Sequence, residues 1–169
     1  MQYALRCGVI THVTGLRGIR NTGQVPASAP TQRSILLVED QENDIILLKL
    51  AFGRAGLSYP IHSVPGGLEA IAYLSGDPPY HDRSRYPLPA LVFLDIRMPR
   101  VDGFEVLRWI RQRPEFEKLP VVMLTGSNEI RDANTAYQLG ATSFMVKSVD
   151  FDNTTELART VGLLIARGN

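Results

Sequence analysis

The chain has 169 residues, 44% of them hydrophobic and 21% charged, a balance that fits one globular domain with a sizeable core. No apolar run approaches the ~20 residues of a membrane-spanning helix, and the single cysteine, Cys7, excludes an intramolecular disulfide and any multi-cysteine metal site, so a reducing cytoplasm is the expected setting. The formal net charge of +1 hides a split: residues 1–33 carry Arg6, Arg17, Arg20 and Arg33 with no acid, and the rest is mildly acidic, which argues against a nucleic-acid surface.

Residues 1–33 show no sustained period and run into Pro, Gly, Ser and Ala, so a poorly ordered extension is expected there. Ala27-Ser28-Ala29 resembles a cleavage site, but Gly8, Thr11 and His12 make a poor apolar core for a signal peptide. From Ser34 strand and helix patterns alternate. The first strand is predicted at Ile35–Val38, followed by a helix over Asn43–Ala55. A second pair spans Tyr59–Val64 and Gly67–Leu74, and the polar, proline-rich SGDPPYHDRSRYPLP of residues 75–89 reads as a loop. The run Leu91–Leu94 is apolar without alternation, the habit of a strand covered on both faces. A helix over Gly103–Arg111 follows, with Asp102 and Glu105 spaced as in a capping box. Strands at Leu119–Leu124 and Thr142–Val146 alternate with helices over Glu129–Leu139 and Phe151–Ala166, and Gly56 and Gly140 sit where helices stop.

Five such repeats imply a doubly wound α/β fold: a five-stranded parallel sheet in the flavodoxin-like order 2-1-3-4-5, with five helices and no second domain. Ligands of such sheets bind at the carboxyl ends of the strands. There the first strand ends in Glu39-Asp40 and the third in Asp95, while Thr125 closes the fourth and Lys147 follows the fifth. Three uncompensated carboxylates repel one another, and hard oxygen donors suit Mg²⁺. A carboxylate nucleophile, a divalent cation, a hydroxyl and an ammonium are the parts of a phosphoryl-accepting site.

The stretches ILLVED, LVFLDIRMPRVDG, VVMLTGSN and FMVK, in that order, resemble the response-regulator receiver domain of two-component signalling, and the likeness extends from about Ser34 to Arg167. The resemblance implies a receiver domain over residues 34–169 with Asp95 as phosphoacceptor. It makes Glu39, Asp40, Asp95 and the backbone carbonyl of Arg97 the Mg²⁺ ligands. Thr125 becomes the switch hydroxyl, Phe144 the switch aromatic and Lys147 the phosphate-contacting cation. Arg97 and Ser127, two residues after Asp95 and Thr125, stand where the family tunes attack by water. The loop over residues 75–89 and the closing SVDFD are similar to single-domain regulators that partner phytochrome-type kinases.

Each residue also has a plainer reading. Asp95 could be a solvated strand end, Glu39-Asp40 could favour a helix N-terminus, and Phe144 could be ordinary core. His12, His62 and His81 share no ligand spacing, and Trp109 suits packing or a partner contact. The resemblance implies a switch that accepts phosphoryl from a sensor histidine kinase, catalyses only its own modification, and signals through the face spanning residues 129–166, with a homodimer as the expected readout. A non-phosphorylating scaffold is the alternative. An aspartate-nucleophile phosphatase is disfavoured because Arg97 stands where a second acid is wanted. One departure from the family is Lys147-Ser148, where proline usually follows the lysine through a cis bond. Serine meets roughly 2.5–4 kcal/mol to stay cis, against about 0.5–1 for proline, so a trans bond, a less well aimed Lys147 and a weaker switch are expected.

Overall fold

The computed structural model describes residues 9–10, 33–126, 130–147, 159 and 161–165. In chain order these form β1 (Val9–Ile10), β2 (Ile35–Val38), α1 (Glu42–Arg54), β3 (Ile61–Val64), α2 (Gly67–Ser75), β4 (Leu91–Asp95), α3 (Gly103–Arg111), a 3₁₀ turn (Pro114–Phe116), β5 (Val121–Thr125), α4 (Ile130–Gln138) and β6 (Ser143–Val146). Residues 161–165 belong to a fifth helix.

The sheet order is β1-β6-β5-β4-β2-β3, in which β2 to β6 are parallel and reproduce the expected 2-1-3-4-5 arrangement. One difference from the sequence reading is β1: Val9 and Ile10 pair antiparallel with Met145 and Phe144 at the outer edge. Apolar residues at both positions are compatible with a sheet edge, but two residues give no period to detect.

The absence of alternation in the strands follows from having helices on both faces. Leu36, Val38, Val92 and Leu94 point into one core with Val106, Leu107 and Ile110 of α3 and Ala133 and Ala136 of α4. Ile35, Leu37, Leu91 and Phe93 point the other way, onto Leu48 and Phe52 of α1 and onto Val161 and Ile165. Each such side chain contributes about 1.5–3 kcal/mol by leaving water, so both faces resist polar substitution. Asp95, at the end of β4, is the acid in this otherwise apolar run.

Two local devices set the chain's exit from β4. Gly103 comes so close to that strand that an added Cβ would lie 2.2 Å from the Asp95 carbonyl oxygen. Next to it the capping box is complete, with Glu105 N–H donating to Asp102 Oδ1 at 2.8 Å and Asp102 N–H donating to Glu105 Oε2 at 3.0 Å. Gly56 and Gly140 take φ of 70° and 89° after α1 and α4, the left-handed stops their positions suggested.

Candidate functional site

The register brings the candidate residues to one edge. Val38 pairs with Leu94, Asp95 with Leu124 and Thr125 with Val146, so the residues just beyond these pairs, Glu39, Asp40, Asp95, Thr125 and Lys147, share the carboxyl rim. One carboxylate oxygen each from Glu39, Asp40 and Asp95 lies within 4.8 Å of the others. Glu39, Asp95 and Thr125 are buried, whereas Asp40 is partly open to solvent.

Lys147 reaches into this cluster. Its Nζ lies 2.7 Å from Asp95 Oδ1, 2.6 Å from Glu39 Oε2 and 2.9 Å from Asp44 Oδ2. The expectation of a poorly aimed lysine is therefore corrected: the long stem delivers the ammonium to the acids, and three carboxylates hold it there. The backbone N–H of Lys147 donates to the Thr125 carbonyl at 2.6 Å, tying its loop to β5. Ser148 lies outside the described residues. Burial alone would lower the Lys147 pKa, but hydrogen bonds to Asp95, Glu39 and Asp44 outweigh it and hold the ammonium above its ordinary range. Burial pushes the Glu39 carboxyl up, against the lowering pull of Lys147.

Asp44 was missed from the sequence. It stands in the first turn of α1 and resembles any acid favouring a helix N-terminus; only its nearness to the end of β2 hinted at more. Phe144 is 3% exposed and packs in the core shared with α3 and α4. Ser127 falls outside the described residues. Arg97 directs its guanidinium toward α4, where it donates to Asp132 Oδ2 at 3.3 Å. Trp109 is packed, with Arg113 over its ring at 3.6 Å and Phe116 stacked at 5.9 Å.

The donor set fits a hard divalent cation. Three carboxylates converge from two adjacent strand ends, all the side-chain donors are oxygen, and among the described residues no histidine or cysteine joins them.

The family model for the response regulator receiver domain matches residues 35–159. Response regulator Rcp1 of Synechocystis is 34% identical over 68% of this chain and 76% of its own length; the solved Mn²⁺-bound form of Rcp1 superposes with a TM-score of 0.67 at 30% identity, covering 76% and 91% of the two chains. The phosphorylated cyanobacterial phytochrome response regulator RcpA gives a TM-score of 0.72 at 28% identity, covering 82% of this chain and 97% of its own. Response regulator RPA3017, of red light signalling in R. palustris, gives 0.72 at 32% identity over 76% and 90%.

Proposed function

This chain belongs to the response regulator receiver domain family, and on that premise we propose that Asp95 accepts a phosphoryl group from a kinase phosphohistidine and thereby switches a protein-binding surface. The observation that carries the reading is the convergence of Glu39, Asp40 and Asp95 within 4.8 Å at the end of the central strands. Glu39, Asp40, Asp95 and the Arg97 carbonyl are the groups assigned to Mg²⁺, which would neutralise charge on phosphoryl oxygens when bound. Asp95 supplies the nucleophilic oxygen. Lys147, already within hydrogen-bond reach of Asp95, supplies a cation to the same oxygens, and Thr125 supplies a hydroxyl.

The new charge, about −1.5 to −2 at neutral pH, draws the Thr125 hydroxyl toward it and holds Lys147 at the site. Phe144 and the face spanning residues 129–166 respond, and a second copy of the chain is the partner assigned to that face. Arg97 and Ser127 tune how water reaches the acyl phosphate. The upstream partner is a sensor kinase of the phytochrome type, a reading supported by the likeness to RcpA and RPA3017. Beyond its own phosphorylation and dephosphorylation no catalysis is assigned, and a cytoplasmic setting follows from a kinase partner of this kind.

The test offers acetyl phosphate and Mg²⁺ and follows intact mass and light scattering on the same samples. One phosphoryl adduct, absent in Asp95→Asn and in EDTA, is the expected result, with a shift toward dimer on modification. No adduct would leave a scaffold. Rapid turnover of added phosphoesters would make the protein a phosphatase.

A further inference from the structure

We infer that Arg97 is a two-position link: with Asp95 unmodified its guanidinium holds Asp132 of α4, and phosphorylation draws it off to the phosphoryl group, releasing α4. The inference rests on the phosphoacceptor reading of Asp95 and extends it to the route by which one modification reaches a surface helix.

Three observations carry it. First, Arg97 stands two residues beyond Asp95, yet its side chain turns to a residue distant in sequence, Asp132, through a single bond of 3.3 Å. Second, the two ends differ in freedom. The Arg97 side chain is 68% exposed and Asp132 only 13%, so the arginine is the partner free to leave. Third, α4 is lightly seated. Among the side chains described for α4, the buried ones are Ala133 and Ala136, with Tyr137 half-buried against the same core, and the rest face outward or are partly exposed. Alanine side chains gain little from burial, so the Arg97–Asp132 pair adds a contact of comparable size to what each of them contributes.

The exchange has a direction. A phosphoryl group offers three acceptor oxygens and nearly twice the charge of a carboxylate, and guanidinium meets it with two parallel bonds rather than one. Once freed, Asp132 keeps its charge in the first turn of a helix that has lost its tether. Arg97 is thus a positioning residue for α4, acting through the modification at Asp95.

Dephosphorylation gives a readout of opposite sign for the two partners. In that step water attacks phosphorus, the bond to the Asp95 oxygen breaks, and inorganic phosphate leaves a free carboxylate. Asp132→Asn removes the competitor for Arg97 and should lengthen the adduct's half-life by about two- to fivefold, the range open to an exposed ion pair. Arg97→Ala should shorten it. The double variant should match Arg97→Ala, because Asp132 acts only through Arg97. Hydrogen exchange supplies the second measurement: amides of Ala133 to Tyr137 in unmodified Asp132→Asn should already exchange as fast as in the phosphorylated parent. The inference is overturned if Asp132→Asn leaves the half-life unchanged, or lengthens it equally without Arg97, or if phosphorylation speeds α4 exchange as much in Arg97→Ala as in the parent. Absence of any adduct would sink the phosphoacceptor reading and the exchange together. An adduct whose half-life ignores both partners would sink the exchange alone.

Discussion

The residue that most limits change around the site is not one of the acids but Gly103. Its Cα faces the backbone of β4 so closely that a methyl group would lie 2.2 Å from the Asp95 carbonyl oxygen and 3.0 Å from the Ile96 Cα. Both obstacles are backbone, so no side chain can rotate away. Its own N–H donates to the Ile96 carbonyl at 3.1 Å, which fixes the approach. Gly103→Ala is expected to cost ~1–3 kcal/mol, as overpacking does, and to slow adduct formation because the strand end bearing Asp95 must shift. Equal denaturation midpoints for parent and variant would show that the approach relaxes freely. Acids were legible one at a time: an apolar run ending in Asp95, and Glu39-Asp40 after another. The partners of Lys147 and of Arg97 were not, because long flexible side chains choose among carboxylates according to distances that no spacing encodes. Asp132 carries no motif, and Asp44 looks like any first-turn acid.

Among elements, the segment after α2 bears out its reading as a loop and adds detail that the reading lacked. As a stretch rich in proline and polar residues it reads as a loop, and it is one, but an ordered one. Arg83 caps α2 from outside, donating to the Tyr73 and Leu74 carbonyls at 2.8 Å each and to the Tyr86 carbonyl at 3.3 Å. The rings of Tyr73, Tyr80 and Tyr86 pack with centroids 5.2 to 6.0 Å apart. Tyr73 is the buried member, 1% exposed, and its hydroxyl donates to the Pro87 carbonyl at 3.0 Å. Burial pushes its pKa up to about 12. A phenol whose folded pKa exceeds its unfolded value of about 10 keeps more protons folded than unfolded between those limits. Its contribution is complete below pH ~10 and is lost as pH rises toward the folded value. Tyr73→Phe should therefore cost about 0.5–1.5 kcal/mol at neutral pH, the range for one hydrogen bond, and should flatten the fall in stability above pH ~10. Denaturant melts of both proteins at neutral and alkaline pH check this. A parallel alkaline decline in the two would assign the titration elsewhere. α3 was likewise legible to the residue, since its capping box is a local signal and sets its start.

For the whole molecule, strand order was readable because the alternation of strands and helices leaves few right-handed parallel topologies, and that order brings the acids together. Four carboxylates, from Glu39, Asp40, Asp44 and Asp95, then share the rim with the Lys147 ammonium, which touches all but Asp40. Asp40 is accordingly the acid whose charge is least compensated: it accepts from Gln41 Nε2 at 3.2 Å and has no cation at hand among the described residues. Two like charges at this spacing repel by ~1 kcal/mol even where water screens them. Asp40→Ala should thus leave the metal-free protein as stable as the parent or slightly more so, while removing a ligand assigned to Mg²⁺. A cation that binds only the folded state stabilises by RT ln(1 + [L]/Kd), about 2.7 kcal/mol at one hundred times Kd. The parent should gain such an increment when Mg²⁺ replaces EDTA and the variant little of it, so their order of stability reverses between the two conditions. Thermal unfolding of both proteins in EDTA and across a Mg²⁺ series measures this. A variant that gains as much from Mg²⁺ as the parent would remove Asp40 from the metal site, whereas one less stable than the parent in EDTA would mean that Asp40 contributes to the fold through something other than its charge.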